Sequence, residues 1–175
     1  MKRKFCITAA IAAGTFATGA MADITIGVSI GFTGPQASLG VHYRNAFDLM
    51  PKTMAGQPVK YIILDNASDV TNAAKNGRKL VTEDKVDVLM GSNGVPQSLA
   101  LAQIATAAKT PLLALSPLTV PAENATWTIF VPQPTKLMID AVPGDITTHN
   151  IKTRGHNGLS DGWGALGRQA HEEPA

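Results

Sequence analysis

The chain has 175 residues, 45% of them hydrophobic and 16% charged. That is the make-up of one ordinary globular domain, too apolar for a disordered chain and too short for two comfortable domains. Lys+Arg 15 against Asp+Glu 13 gives +2, but Lys2, Arg3 and Lys4 crowd the N-terminus, and beyond them 12 of the 15 bases face 13 acids, a net of −1. A nucleic-acid partner thereby loses its main support.

Met1 to Ala22 reads as an export signal. The basic Lys2-Arg3-Lys4 precedes an apolar run from Phe5 to Ala20, and Ala20-Met21-Ala22 supplies a small-x-small cleavage pattern just before Asp23. The run is shorter than the roughly 20 residues of a spanning helix. Cys6, the single cysteine, lies inside this segment. The mature chain from Asp23 therefore has no thiol, and an exported, periplasmic location is expected.

From Asp23 the pattern alternates. Ile24 to Ile30 is a β-rich run ending in the turn cluster Gly31-Phe32-Thr33-Gly34-Pro35. A helix is predicted from about Ser38 to Met54, broken by Gly56 and Pro58. Val59 to Leu64 reads as a buried strand. Ser68 is then the expected cap of a helix whose apolar residues Val70, Ala73, Ala74, Gly77, Leu80 and Val81 recur at spacings of three and four. Val86 to Met90 is the third strand, with Gly91-Ser92-Asn93-Gly94 as its loop. Pro96 opens a helix carrying Leu101, Ile104, Ala105 and Ala108 on one face. Pro111 to Leu115 is the fourth strand, Trp127 to Phe130 a short fifth, and Pro134 to about His149 a last helix.

Strand and helix alternating at this spacing imply an α/β fold, a doubly wound parallel sheet with helices on both faces. Such sheets take ligands in the crevice beyond the carboxyl ends of their strands. Those ends are three loops: Gly31 to Leu39, Gly91 to Val95, and Ser116 to Thr119. Their Gly, Ser, Thr and Asn suit backbone N–H groups converging on a small anion, and suit ordinary βα turns equally well.

Much chemistry is missing. No Gly-Lys-Ser/Thr occurs, and Gly27, Gly31 and Gly34 have the wrong spacing for a dinucleotide loop. His42, His149, His156 and His171 show no paired metal-ligand spacing. No cofactor or metal is expected. Gly27-Val28-Ser29-Ile30-Gly31 does match a nucleophile-elbow pattern. However, no helix follows at once, and Ser29 alternates with Val28 and Ile30 in a strand that packs. A serine hydrolase using Ser29 is thus the least favoured reading, and no enzyme is expected.

Several segments together resemble the periplasmic solute-binding proteins of branched-chain amino acid (Leu/Ile/Val-type) ABC transporters. They are Ile26-Gly27-Val28-Ser29 with Phe32 to Gly40, Tyr61 to Asp69, Lys79 to Asp87, Gly91-Ser92-Asn93 before a Pro-started helix, and Lys109-Thr110-Pro111 leading to Ser116-Pro117. The resemblance covers roughly Asp23 to Gly164. It implies the type I periplasmic-binding-protein fold, in which two α/β lobes close on an amino acid or related small carboxylic acid, and an ABC permease as membrane partner. It also implies that residues 23–150 form the first lobe. Carried over by position, Leu39 touches the solute side chain, Asn93, Gly94 and Val95 lie on its carboxylate, and Ser116, Leu118 and Thr119 offer main-chain groups and a hydroxyl. Val95 stands where the family often has Ser or Thr.

The resemblance places the start of a second lobe near Ile151, with Ser160-Asp161-Gly162-Trp163-Gly164 in its opening loop and Trp163 as a further ligand-binding aromatic. Arg154-Gly155-His156-Asn157-Gly158 stands where that lobe needs a hydrophobic strand, and His171 to Ala175 reads as a polar tail. The expectation is a chain truncated after its first lobe, binding weakly or not at all alone. A secreted single-domain interaction module with no transport role is the alternative.

Overall fold

β1, Ile24–Ile30, is the middle of the sheet. It pairs in parallel with β3 on one side and β4 on the other, and because helices cover both faces of the sheet the run is almost continuously apolar. The structure, a computed structural model, describes residues 23–134 and seven single positions beyond them: 137, 148, 149, 158, 164, 165 and 168. The export segment, nearly all of the helix expected from Pro134 to His149, Trp163 and the second-lobe start lie outside the described residues.

After β1 a short 3-10 turn at Gly34–Gln36 leads into α1, Ala37–Asp48. The expected extension of this helix to Met54 is corrected. Leu49 is 87% exposed and gains nothing from a further turn, and Pro51 disfavours helical backbone at the residue before it. Met54 lies instead in β2, Thr53–Met54, antiparallel to the start of β3, Gln57–Asp65. Ala55 and Gly56 both take positive φ, 48° and 79°, as a two-residue hairpin turn demands.

α2, Val70–Thr82, is capped by Asp69 rather than Ser68. The Asp69 carboxylate accepts from the Asn72 amide at 2.7 Å. Ser68 has φ of 60°, whereas a capping residue takes extended backbone, as Asp69 does. β4, Val88–Gly91, is followed by α3, Val95–Ala108, with Gly94 as its cap and Pro96 in its first turn. Lys109 ends that helix in the left-handed conformation. β5, Leu112–Ala114, then α4, Ala122–Ala125, which the sequence pattern does not announce, and β6, Thr128–Phe130, complete the order.

The sheet runs β2-β3-β1-β4-β5-β6, parallel except for β2. Ile26, Val28 and Ile30 pack with Phe47 of α1, Val59 and Met90 on one face. Leu89, Leu112 and Ala114 pack with Leu80 of α2 and with Leu101, Ala102 and Ala105 of α3 on the other. The chain leaves β1 toward β3 and later returns to its opposite side as β4. Crossovers therefore diverge between β1 and β4, which opens a crevice at the carboxyl ends of those strands.

Candidate functional site

Two close backbone approaches bring the loops together there. A side chain at Gly91, whose φ is 136°, would run into the Ser29 carbonyl oxygen, and one at Gly40 would run into that of Gly31. Glycine at both positions lets β4 and α1 settle against the end of β1.

Asn93 then joins the β1 and β4 loops. Its Oδ1 accepts from the Gly31 amide at 2.9 Å, and its Nδ2 donates to the carbonyls of Gly31 at 3.2 Å and Gln36 at 3.4 Å. Beneath it, the Ser92 hydroxyl donates to Asn93 Oδ1 and accepts from Asn66 Nδ2 at 3.0 Å. Asn66 also donates to the Ser29 hydroxyl at 3.3 Å, as does Asn76 at 3.4 Å. On the far side the Ser98 hydroxyl donates to the Ser92 carbonyl at 3.0 Å and accepts from the Ser92 amide and from Ser116 Oγ, each at 2.7 Å. One continuous polar chain thus runs from β1 to the loop after β5. Buried polar groups are costly unless satisfied, so this chain holds the loops in one arrangement.

Asp65 secures the outer side. It accepts from the Thr33 hydroxyl at 2.7 Å and from the amides of Ala67 and Phe32 at 2.8 and 2.9 Å. Partial burial pushes its carboxyl up, but the Thr33 hydroxyl and the Ala67, Phe32 and Thr33 amides outweigh that and hold it below the usual carboxylate value. Arg44 lies over the Phe32 ring at 4.7 Å from its centroid. The Tyr43 hydroxyl donates to the Leu115 carbonyl at 3.1 Å, and burial pushes its ionisation up.

Each expected site residue except Trp163, which lies outside the described residues, has a definite place. Asn93 and Ser116 are buried, the Asn93 side chain engaged by the loop after β1 and the Ser116 hydroxyl by Ser98 of α3. Gly94 and Val95 are buried where α3 begins. Leu118 is part of the core beside α3, and Thr119 next to it is exposed. Leu39, 51% exposed, stands on the first turn of α1 at the rim. The geometry brings the loops of Asn93, Gly94, Val95 and Ser116 together; Leu39 stays at the edge. Ser29 is wholly buried, its hydroxyl accepting from two asparagine amides under α2, so the packed-face reading of that residue holds.

The first N–H groups of α3, at Val95 and Gln97, precede any carbonyl of their own helix that they could reach. They form the natural anion-facing element of the site. In the segment after Ser116, a largely apolar groove of about 380 Å³ runs along Pro117, Leu118, Thr119, Val120, Phe130 and Pro132. Among the described residues no group of three or more His, Cys, Asp or Glu is placed to hold a metal.

The sequence reading missed Asp65, Asn66, Ser68, Gln36 and Gln97 as builders of this floor. Asp65-Asn66-Ala67-Ser68-Asp69 is a run of turn formers whose side chains bond nearby backbone, which is a usable signal. The two glutamines carry none.

A parallel sheet in this order, with its strand-end loops tied into one floor, defines the ligand-binding lobe of the type I periplasmic binding protein fold. Residues 23–152 match the periplasmic binding protein family model, and the chain belongs to that family. It is similar to the crystal structure of an extracellular ligand-binding receptor from Rhodopseudomonas palustris HaA2, at 40% identity and a TM-score of 0.82, covering 85% of this chain and 42% of that one. A solute-binding protein of an ABC transporter from Rhodopseudomonas palustris BisB5, in complex with 3,4-dihydroxybenzoic acid, is 26% identical, with a TM-score of 0.69 and coverage of 74% and 37%. A leucine-binding protein from Thermotoga maritima MSB8 shares the fold at 22% identity, with a TM-score of 0.66 over 73% of this chain and 37% of that one. The chain spans well under half the length of each.

Proposed function

We propose that the chain is the carboxylate-gripping lobe of an exported solute-binding protein that serves an ABC permease. Its solute is a small carboxylic acid, either an amino acid of branched-chain type or an aromatic acid. One observation carries this reading. The serine and asparagine side chains at the strand ends are engaged with one another, which leaves the α3 N-terminus as the anion-facing element, and the segment after Ser116 carries the apolar groove. The relative that holds 3,4-dihydroxybenzoic acid supports an aromatic acid as one candidate.

In this reading Gly94 and Val95 present the carboxylate-binding backbone, and Asn93 and Ser116 hold that backbone in place. Leu39, Leu118 and Thr119 shape the wall around the solute's organic part. Trp163 belongs to the facing side. Residues 1–22 act as the export signal, so the N-terminus of the chain recovered from the periplasm is expected at Asp23. Such proteins bury the ligand between two lobes, and the described residues supply one wall. Affinity by this chain alone is therefore expected to be weaker than micromolar.

Titration of isotope-labelled chain with leucine, isoleucine, valine, phenylalanine and benzoate at millimolar concentration tests the reading. The expected result is movement of the Gly94, Val95 and Gln97 amide signals with at least one acid. Silence at those amides with all of them overturns it, and micromolar affinity for any overturns the one-wall account.

A further inference from the structure

Two glutamines meet over the start of α3. The space that a side chain at Gly94 would occupy is filled by Gln97 Oε1 and by both polar atoms of the Gln36 carboxamide. Gln97 is only 4% exposed. Its Nε2 donates to the Ser68 carbonyl, which settles the amide's orientation, because a flip would set two carbonyl oxygens against each other. Gln97 Oε1 and Gln36 Oε1 are nonetheless buried without a hydrogen-bond partner. An unsatisfied buried acceptor is unfavourable, and these two lie beside the N-terminus of a helix, which favours negative charge.

The backbone of Gln36 is pinned at both ends. Its amide donates to Ser68 Oγ at 3.0 Å and its carbonyl accepts from Asn93. Its side chain is under no such restraint from the bonds described, and it lies across the α3 N-terminus as a cover. Displacing it would expose an acceptor, Gln97 Oε1, next to N–H groups suited to a carboxylate. A solute satisfies both at once if it carries an N–H or O–H donor on the carbon beside its carboxylate.

We propose that Gln97 is a specificity-determining residue of this site. Its Oε1 accepts from an α-amino or α-hydroxy acid whose carboxylate lies on the first turn of α3, and Gln36 is the movable cover that the solute displaces. The proposal rests on the solute-binding reading above and sharpens it.

The test compares three acids with one carbon skeleton on the full exported chain by amide chemical shifts: leucine, 2-hydroxy-4-methylpentanoate and 4-methylpentanoate. In the native protein the two donor-bearing acids should bind about 5- to 10-fold more tightly than 4-methylpentanoate, and they should move the Gln97 side-chain amide signals. Gln97→Met should bring the three affinities together, and Gln36→Ala should tighten all three. The native side-chain signals need no variant, so the test stands even if Gln97→Met does not fold. Equal affinity for the three acids in native protein, or unchanged discrimination in folded Gln97→Met, overturns the role of Gln97. Weaker binding in Gln36→Ala overturns the cover. If none of the three acids shifts any α3 amide while benzoate does, the inference fails and the solute-binding reading survives. If no acid shifts them at all, both fail.

Discussion

The centre and the rim of the strand-end surface are built on different principles. At the centre, Ser29, Asn66, Ser92, Asn93, Ser98 and Ser116 are buried and bonded to one another. At the rim, Leu39, Thr119, Ile129, Phe130 and Val131 are exposed. The contrast separates two tasks. Side chains at the centre hold backbone in shape, and those of the border are left open to solvent. A polar residue named for a site by its type can therefore act as a brace between loops, as Asn93 does.

The largest way to break this contrast is Gly91→Ala. A Cβ there meets the Ser29 backbone with no flexible side chain to yield, and φ of 136° is strained for alanine. We expect a loss of about 3 kcal/mol or more in denaturant unfolding. A change of less than about 1 kcal/mol would mean that β4 does not need to lie so close to β1.

Asn93→Ala comes next. It leaves the buried Gly31 amide without its acceptor and unties the α1 entry at Gln36, at an expected cost of about 2 to 3 kcal/mol. Solute affinity should fall as well, although the removed side chain faces the loops.

The Asp65 clamp gives a smaller, pH-dependent effect. Its carboxyl is held below the ordinary value of 3.8 in the folded chain. The unfolded chain therefore takes up a proton first as pH falls. The stabilisation is complete well above pH 3.8 and is lost as pH drops through the folded-state value. Unfolding midpoints of native protein and Asp65→Asn should differ near neutral pH and converge in acid. Parallel curves would remove Asp65 as a clamp.

The smallest effect on stability belongs to the rim. Leu39→Ala should change unfolding by less than about 0.5 kcal/mol, because the side chain is half exposed. The same substitution should weaken binding of an apolar solute. Unchanged binding would move Leu39 out of the site.

Much of the frame can be read along the chain. The runs beginning at Ile24, Val59, Val86, Pro111 and Trp127 lead to five parallel strands, and the helices centred on Lys75 and Leu101 appear where their apolar spacing puts them. The failures are instructive because each is local but decided elsewhere. Met54 looked like a continuing helix until its pairing with Gln57 is seen. Ser68 looked like a cap, but its hydroxyl is engaged by Thr33 and Gln36, more than thirty residues away.

The sequence by itself determined the alternation of strands and helices, the three loops at the strand ends with their Gly, Ser, Thr and Asn, and the packing of Ser29, because periodicity and turn chemistry act over a few neighbouring residues. Only the tertiary structure decided that Asn93 reaches Gly31 across 62 positions, and that Gln36 and Gln97 meet over Gly94. Those meetings depend on β1 and β4 lying side by side, and strand order is a property of the whole sheet that no local pattern encodes.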